Sequence, residues 1–132
     1  MQIPGVDWAG SGQTLVLAVS DSCHFCSESA DFYRRLAQEK AWPGSVRLIA
    51  VLPQEVDRGR EYLDKLGVSV DQVEQAQLSS IGVRGTPTLL LIDSTGSLKT
   101  SWVGKLTPDK EGEVLNRVVR RRQPAVGPPT KG

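Results

Sequence analysis

A chain of 132 residues is a length for one domain, long enough to bury roughly two thirds of the surface its unfolded form exposes. Its 16 Lys and Arg nearly cancel 15 Asp and Glu, so no long-range field draws it to nucleic acid or to an anionic membrane. The longest apolar runs, Leu15–Val19 and Leu89–Ile92, are strand-sized and far too short to span a bilayer.

No basic-then-apolar signal segment opens the chain. Met1-Gln2-Ile3-Pro4 reads like an entry cut into a longer chain, so an upstream export or anchor segment is expected outside this sequence. Residues 1–13 are rich in Gly and turn formers, with Trp8 as a local anchor. "TLVLAVS" (14–20) predicts a strand buried on both faces. Asp21 or Ser22 is expected to cap the helix that follows, in which Phe25, Ala30, Tyr33, Leu36 and Ala37 recur at helical spacing until Pro43-Gly44. "VRLIAVL" (46–52) predicts a second buried strand, and "EVDRGREYLDKLG" (55–67) an amphipathic helix closed by Gly67. The stretch 68–82 predicts a short strand at Val68–Val70 and a helical turn around Gln77–Ile81. "TLLLID" (88–93), the turn "STGS" and "LKTSWVG" (98–104) predict a hairpin. Thr107 or Asp109 should start a last helix with Val114, Leu115, Val118 and Val119 on its apolar face. Arg120-Arg121-Arg122 reads as solvated charge favoured at a helix C-terminus. The expected organisation is one domain over 1–122 and a disordered Pro/Gly-rich tail over 123–132.

The only two cysteines, Cys23 and Cys26, stand three residues apart just after a strand and in the first turn of a helix. Unpaired amide N–H groups and the positive helix end stabilise a thiolate there, lowering the thiol pKa. One turn also brings the sulfurs within bridging reach. Cys23, the more exposed, would attack a disulfide, and Cys26 would resolve the product. Two other readings compete. Zinc shares this spacing but needs four ligands, and His24, the sole histidine, lies between the cysteines where it completes a tetrahedron poorly. A purely structural bridge gains little from closing so short a loop.

"GVRGTPTLLLID" (82–93) carries the second signal. Pro87 stands directly before a strand, where its missing N–H suits a first residue or a bend. In a sheet ordered 2-1-3-4, the start of strand three lies beside the end of strand one, so Pro87 would face Cys23. A cis Thr86–Pro87 bond would leave the Thr86 backbone free to pair with an extended peptide beside the cysteines.

Taken together, strand, C-x-x-C helix, strand, helix, "GVRGTPTLLLIDSTGSL", Gly104 and a final helix resemble the thioredoxin superfamily over about residues 13–119. The second half looks especially like the redoxin-type thioredoxin-like proteins of bacterial cell envelopes. The resemblance implies a thioredoxin fold, here expected as an α/β four-stranded mixed sheet of order 2-1-3-4 flanked by helices on both faces. It also implies a nucleophilic Cys23, a resolving Cys26 and a cis Pro87 after Thr86 as the substrate-binding edge. Three positions depart from the pattern. Ser22 stands where many relatives have Trp, Leu17 where thioredoxins bury an acid, and Asp31 where they have a helix-kinking Pro. These argue against a housekeeping thioredoxin and leave the dithiol chemistry intact.

His24 and Phe25 are expected to modulate the pair. A cationic His24 would favour the thiolate and make the disulfide more oxidising, and Phe25 is either a substrate contact or helix packing. Arg84 is either a bias on substrate charge or a solvated loop side chain. The function expected is thiol–disulfide oxidoreductase, acting on protein thiols and disulfides with an unidentified redox partner, as a monomer, with no cofactor, metal, nucleic acid or membrane contact. The rival from another class is a thioredoxin-fold binding module that grips a partner at the Thr86–Pro87 edge with little turnover. A peroxide reductase would need a Thr or Pro and an Arg around a dedicated cysteine, and no such signature is present. The resemblance places the domain facing the bacterial envelope or periplasm, with the cytoplasm as the alternative.

Overall fold

A computed structural model describes residues 1–39 and 46–118. Pro43-Gly44, Val119, the Arg120–Arg122 run and the 123–132 tail lie outside the described residues. The regular elements are β1 (Gln13–Ala18), α1 (His24–Glu28), α2 (Ala30–Glu39), β2 (Val46–Leu52), α3 (Val56–Leu66), β3 (Gln72–Gln75), β4 (Thr88–Asp93), β5 (Leu98–Val103) and α4 (Pro108–Val118), with 3-10 turns at Trp8–Gly10 and Leu78–Ile81.

The strands form one sheet in the order β3-β2-β1-β4-β5. β1 is parallel to β2 and antiparallel to β4, β3 joins β2 in parallel, and β5 joins β4 in antiparallel. The expected order of four strands is present as β2-β1-β4-β5, and the four-stranded sheet is corrected to five. The added strand is β3, not the expected Val68–Val70. Gly67 (φ 72°) ends α3 in the left-handed region, and the Val68 amide folds back to donate to the Leu63 carbonyl at 3.0 Å. Val68 is therefore the buried residue of a helix cap. Pairing with β2 begins after Asp71, whose amide donates to the Leu48 carbonyl and whose carboxylate accepts from the Leu48 amide, both at 2.8 Å. β3 buries only Val73 among polar neighbours, which leaves no apolar pattern to read.

Alternation along the central strands divides the core in two. Leu15, Leu17, Leu48, Ala50, Leu89 and Leu91 face α1, α2, α3 and α4, against Phe32, Tyr33, Leu36, Leu63, Val114 and Val118. Val16, Ala18, Ile49, Val51, Leu90 and Ile92 face the other way, where the cover is Ile3, Val6, Trp8 and the Leu78–Val83 turn. The expected helices on both faces are corrected to one: α-helices cover one side, and 3-10 turns and coil cover the other.

The N-terminal segment is tied down along this thinner side. Arg47 donates to the Asp7 carbonyl, and Gln72 to the Gly5 carbonyl, each at 2.7 Å. Gly96, in the β4–β5 turn at φ 86°, leaves room for the Trp8 ring, which would lie 2.8 Å from a Cβ there.

Candidate active site

β1 delivers the chain to a loop that is held on both sides. Gln54, just past β2, donates to the Ser20 hydroxyl at 3.2 Å and accepts from the Asp21 amide at 3.3 Å. Arg58 of α3 pairs with the Asp21 carboxylate. The Cys23 amide then donates to the Ser20 carbonyl at 3.1 Å. Cys23 itself is the N-cap of α1, in place of the expected Asp21 or Ser22. Its extended backbone (φ −95°, ψ 114°) turns the sulfur back over the helix start, where Sγ accepts from the Cys26 amide at 3.1 Å. The same hydrogen bond that caps the helix thus falls on the Cys23 sulfur.

The two cysteines are joined as a disulfide, with Cα atoms 5.3 Å apart. Their surroundings differ sharply. Cys26 is wholly buried in the helical-side core, whereas Cys23 is partly exposed. Only Cys23 can be reached by an incoming sulfur. Leu17, at the position of the absent acid, is also fully buried.

His24 turns along the helix, its Nε2 2.8 Å from Glu28 Oε2. Lys105, from the β5–α4 loop, reaches the other carboxylate oxygen at 3.2 Å. The Lys105 hydrogen bond, helped by the charges of Lys105 and His24, holds the Glu28 carboxyl below the usual carboxylate range. Phe25 is 52 % exposed and lies outside both cores, its ring edge-on to His24 with centroids 5.6 Å apart. The helix is interrupted without a Pro at position 31: α1 and α2 are separated at Ser29, whose hydroxyl donates to the Phe25 carbonyl at 2.8 Å, a back-bond that often bends helices.

The register Ala18↔Thr88 puts the start of β4 beside the end of β1. The Thr86–Pro87 bond is cis. Pro87 is buried, and its carbonyl accepts from the Gly104 amide at 2.7 Å. Thr86 is half-buried, and among the described residues neither its N–H nor its C=O has a partner. Cys23 and the Thr86–Pro87 turn thus share one end of the sheet. Glu28 and Lys105 were missed from the sequence. Glu28 stands four residues after His24 and was findable by helical spacing, but Lys105 is 77 residues from Glu28 and carries no local signal.

No family model and no curated protein matches this chain. Solved structures do. A thiol-disulfide isomerase from Corynebacterium glutamicum superposes with a TM-score of 0.67 at 14% identity, covering 92% of this chain and 90% of its own. A secreted disulfide oxidoreductase of Mycobacterium tuberculosis, homologous to E. coli DsbE, gives 0.63 at 13% identity, covering 83% and 85%. The exposed lipoprotein thioredoxin Etrx1 of Streptococcus pneumoniae gives 0.59 at 20% identity, covering 85% and 88%. At such identities the likeness is one of architecture, and this chain has the thioredoxin fold.

Proposed function

We propose that the chain is a thiol–disulfide oxidoreductase exchanging the Cys23–Cys26 pair with cysteines of protein substrates. The observation that carries this reading is the asymmetry of the pair: a reachable Cys23 sulfur that accepts an amide hydrogen bond, and a Cys26 sulfur sealed behind it. In the reducing direction the Cys23 thiolate attacks a substrate disulfide, a mixed disulfide forms, and one substrate sulfur leaves as a thiolate that takes up a proton. The Cys26 sulfur, once its proton is lost, attacks Cys23 Sγ. The internal disulfide closes and the second substrate thiolate departs, so two electrons have passed to the substrate. The reverse sequence oxidises a substrate dithiol.

In this reading Thr86 offers its unpaired backbone groups to the substrate strand, and Pro87 fixes the turn that presents them. His24 and Phe25 flank the attacking sulfur and modulate it. We place the domain on the envelope side of a bacterial membrane, a reading supported by the secreted and exposed-lipoprotein descriptions of two similar structures. Insulin reduction driven by dithiothreitol tests the activity. Turnover should be present in the parent protein and absent in Cys23→Ser, while Cys26→Ser should accumulate mixed disulfides with substrate. A parent protein with no turnover and no mixed disulfides would replace this reading with a binding module. The reduction potential then fixes the direction, a value near about −270 mV indicating a reductant and one near about −120 mV an oxidant.

A further inference from the structure

Among the described residues three large apolar side chains are exposed: Phe25, Leu98 and Val103. Phe25 lies between the two cysteines, and the other two belong to one column of the sheet. β4 and β5 pair as Thr88↔Val103, Leu90↔Ser101 and, past a register shift between Leu91 and Ile92 that brings Leu98 onto the same face, Ile92↔Leu98; residues opposite each other across a ladder share a face. Leu90 and Ile92 point to the side that carries no α-helix. Val103, Ser101 and Leu98 therefore stand on that same side, as its outermost column. The Leu78–Val83 turn covers Leu90 but stops short of this column, leaving Val103 70 % and Leu98 51 % exposed while Trp102, on the helical side, is 7 % exposed. The result is an apolar groove of about 350 Å³ lined by Ile81, Val83, Leu90, Leu98 and Val103, with Arg84 at its rim.

Two features say what the groove receives. It opens at the docking turn, since Arg84 and Gly85 precede Thr86, and Val103 pairs with Thr88. Arg84 is exposed and has no acidic partner among the described residues. We propose that this groove is a specificity subsite for the substrate chain flanking its reacting cysteine. Its occupant is an extended segment with aliphatic side chains at alternate positions and an acidic residue near the cysteine. From Val103 to Leu98 the column runs roughly 17 Å, room for about five residues of such a strand. Alternate side chains enter between Val83, Leu90 and Val103, and the acid meets Arg84. This rests on the disulfide-exchange reading, which supplies the cysteine that anchors the segment.

The test uses the reduced full chain and two synthetic peptides, each with one cysteine blocked as a thionitrobenzoate disulfide. One has Val and Leu at alternate positions and an Asp beside the cysteine; the other has Ser at those positions and Lys in place of Asp. The groove should favour the first peptide in second-order rate constant by on the order of tenfold or more. Val103→Ser with Leu98→Ser should erase the aliphatic part of that preference, and Arg84→Glu should invert the charge part. Both variants should keep the parent's rate with hydroxyethyl disulfide, an uncharged disulfide too small to reach the groove. Equal rates for the two peptides, with that small-disulfide reaction intact, would overturn the subsite and leave the exchange reading standing. Absence of the small-disulfide reaction would overturn both. A parent dimer that Val103→Ser with Leu98→Ser dissolves, without peptide preference, would assign the groove to a second copy and overturn the subsite.

Discussion

Cys23 and Cys26 differ by one helical turn and by almost everything else. The first is a cap whose sulfur meets an amide N–H, and the second is core. A hydrogen bond donated to sulfur favours the thiolate. In Cys26→Ser, ultraviolet thiolate absorbance followed against pH should place the Cys23 midpoint below the ~8.5 of an ordinary thiol. A midpoint at or above that value would remove the activation argument. Glu28 gives a second test at this scale. Its carboxyl is held low chiefly by the Lys105 hydrogen bond, so Lys105→Ala should move the Glu28 midpoint up, as read by carbon NMR of the carboxyl. A carboxyl with a depressed folded pKa contributes stability above its unfolded pKa and loses it as pH falls through the folded value. The variant should accordingly lose less stability than the parent across the acid range, and an unmoved Glu28 midpoint would show that the contact does not persist in solution.

At the level of elements, helix ends and turns decide where the chain goes. Gly67 takes φ 72° so that α3 can end and Val68 can tuck beneath it. Gly67→Ala should cost about 1 kcal/mol in urea unfolding, with an unchanged m-value and normal disulfide exchange. No loss would mean the cap opens without penalty. The β4–β5 turn depends on Asp93, whose carboxylate accepts from the Thr95 hydroxyl and amide and from the Ser97 amide at 2.6–3.0 Å. Asp93→Ala should speed amide hydrogen exchange in β5, and unchanged exchange would show that Gly96 holds the turn unaided. Elements of this kind were legible where the pattern is dense. β1, β2 and β4 each contain an unbroken apolar run, and α3 is amphipathic up to its glycine. β3 was not legible, because one Val among Gln and Glu carries no period and its pairing is set by Asp71 reaching β2. The break at Ser29 was hidden for a related reason: a serine gives no helix-stop signal until its hydroxyl bonds the preceding turn.

Across the whole molecule the two sides of the sheet are built differently, and local pattern could not say so. The spacing of Ile3, Val6 and Trp8 implies no regular element, yet these residues close the second core. Ile3→Ala should therefore cost about 2–5 kcal/mol, as for a core aliphatic residue, measured by denaturant unfolding. A cost within about 0.5 kcal/mol, as expected at a surface position, would show the segment to be a loose covering. The placement of Cys23, Cys26, Thr86 and Pro87 at one end of the sheet was readable because it rests on short motifs and strand order, whereas Lys105, brought in by the β5–α4 loop, needed the folded chain.

The central place of β1 has a mechanical consequence. All six of its residues pair with β2 on one side and β4 on the other, and the strand runs on through a short loop to Cys23. In the disulfide-exchange reading a partner is covalently attached at Cys23, and part of any tug on it reaches the fold through this strand. A pull along β1 loads both ladders in shear, spreading the tension over every rung at once instead of peeling them in turn. The attachment point is thus anchored where the sheet is hardest to tear, and a tethered chain that is being pulled or refolded would exhaust its own weaker contacts before dislodging the sulfur that holds it.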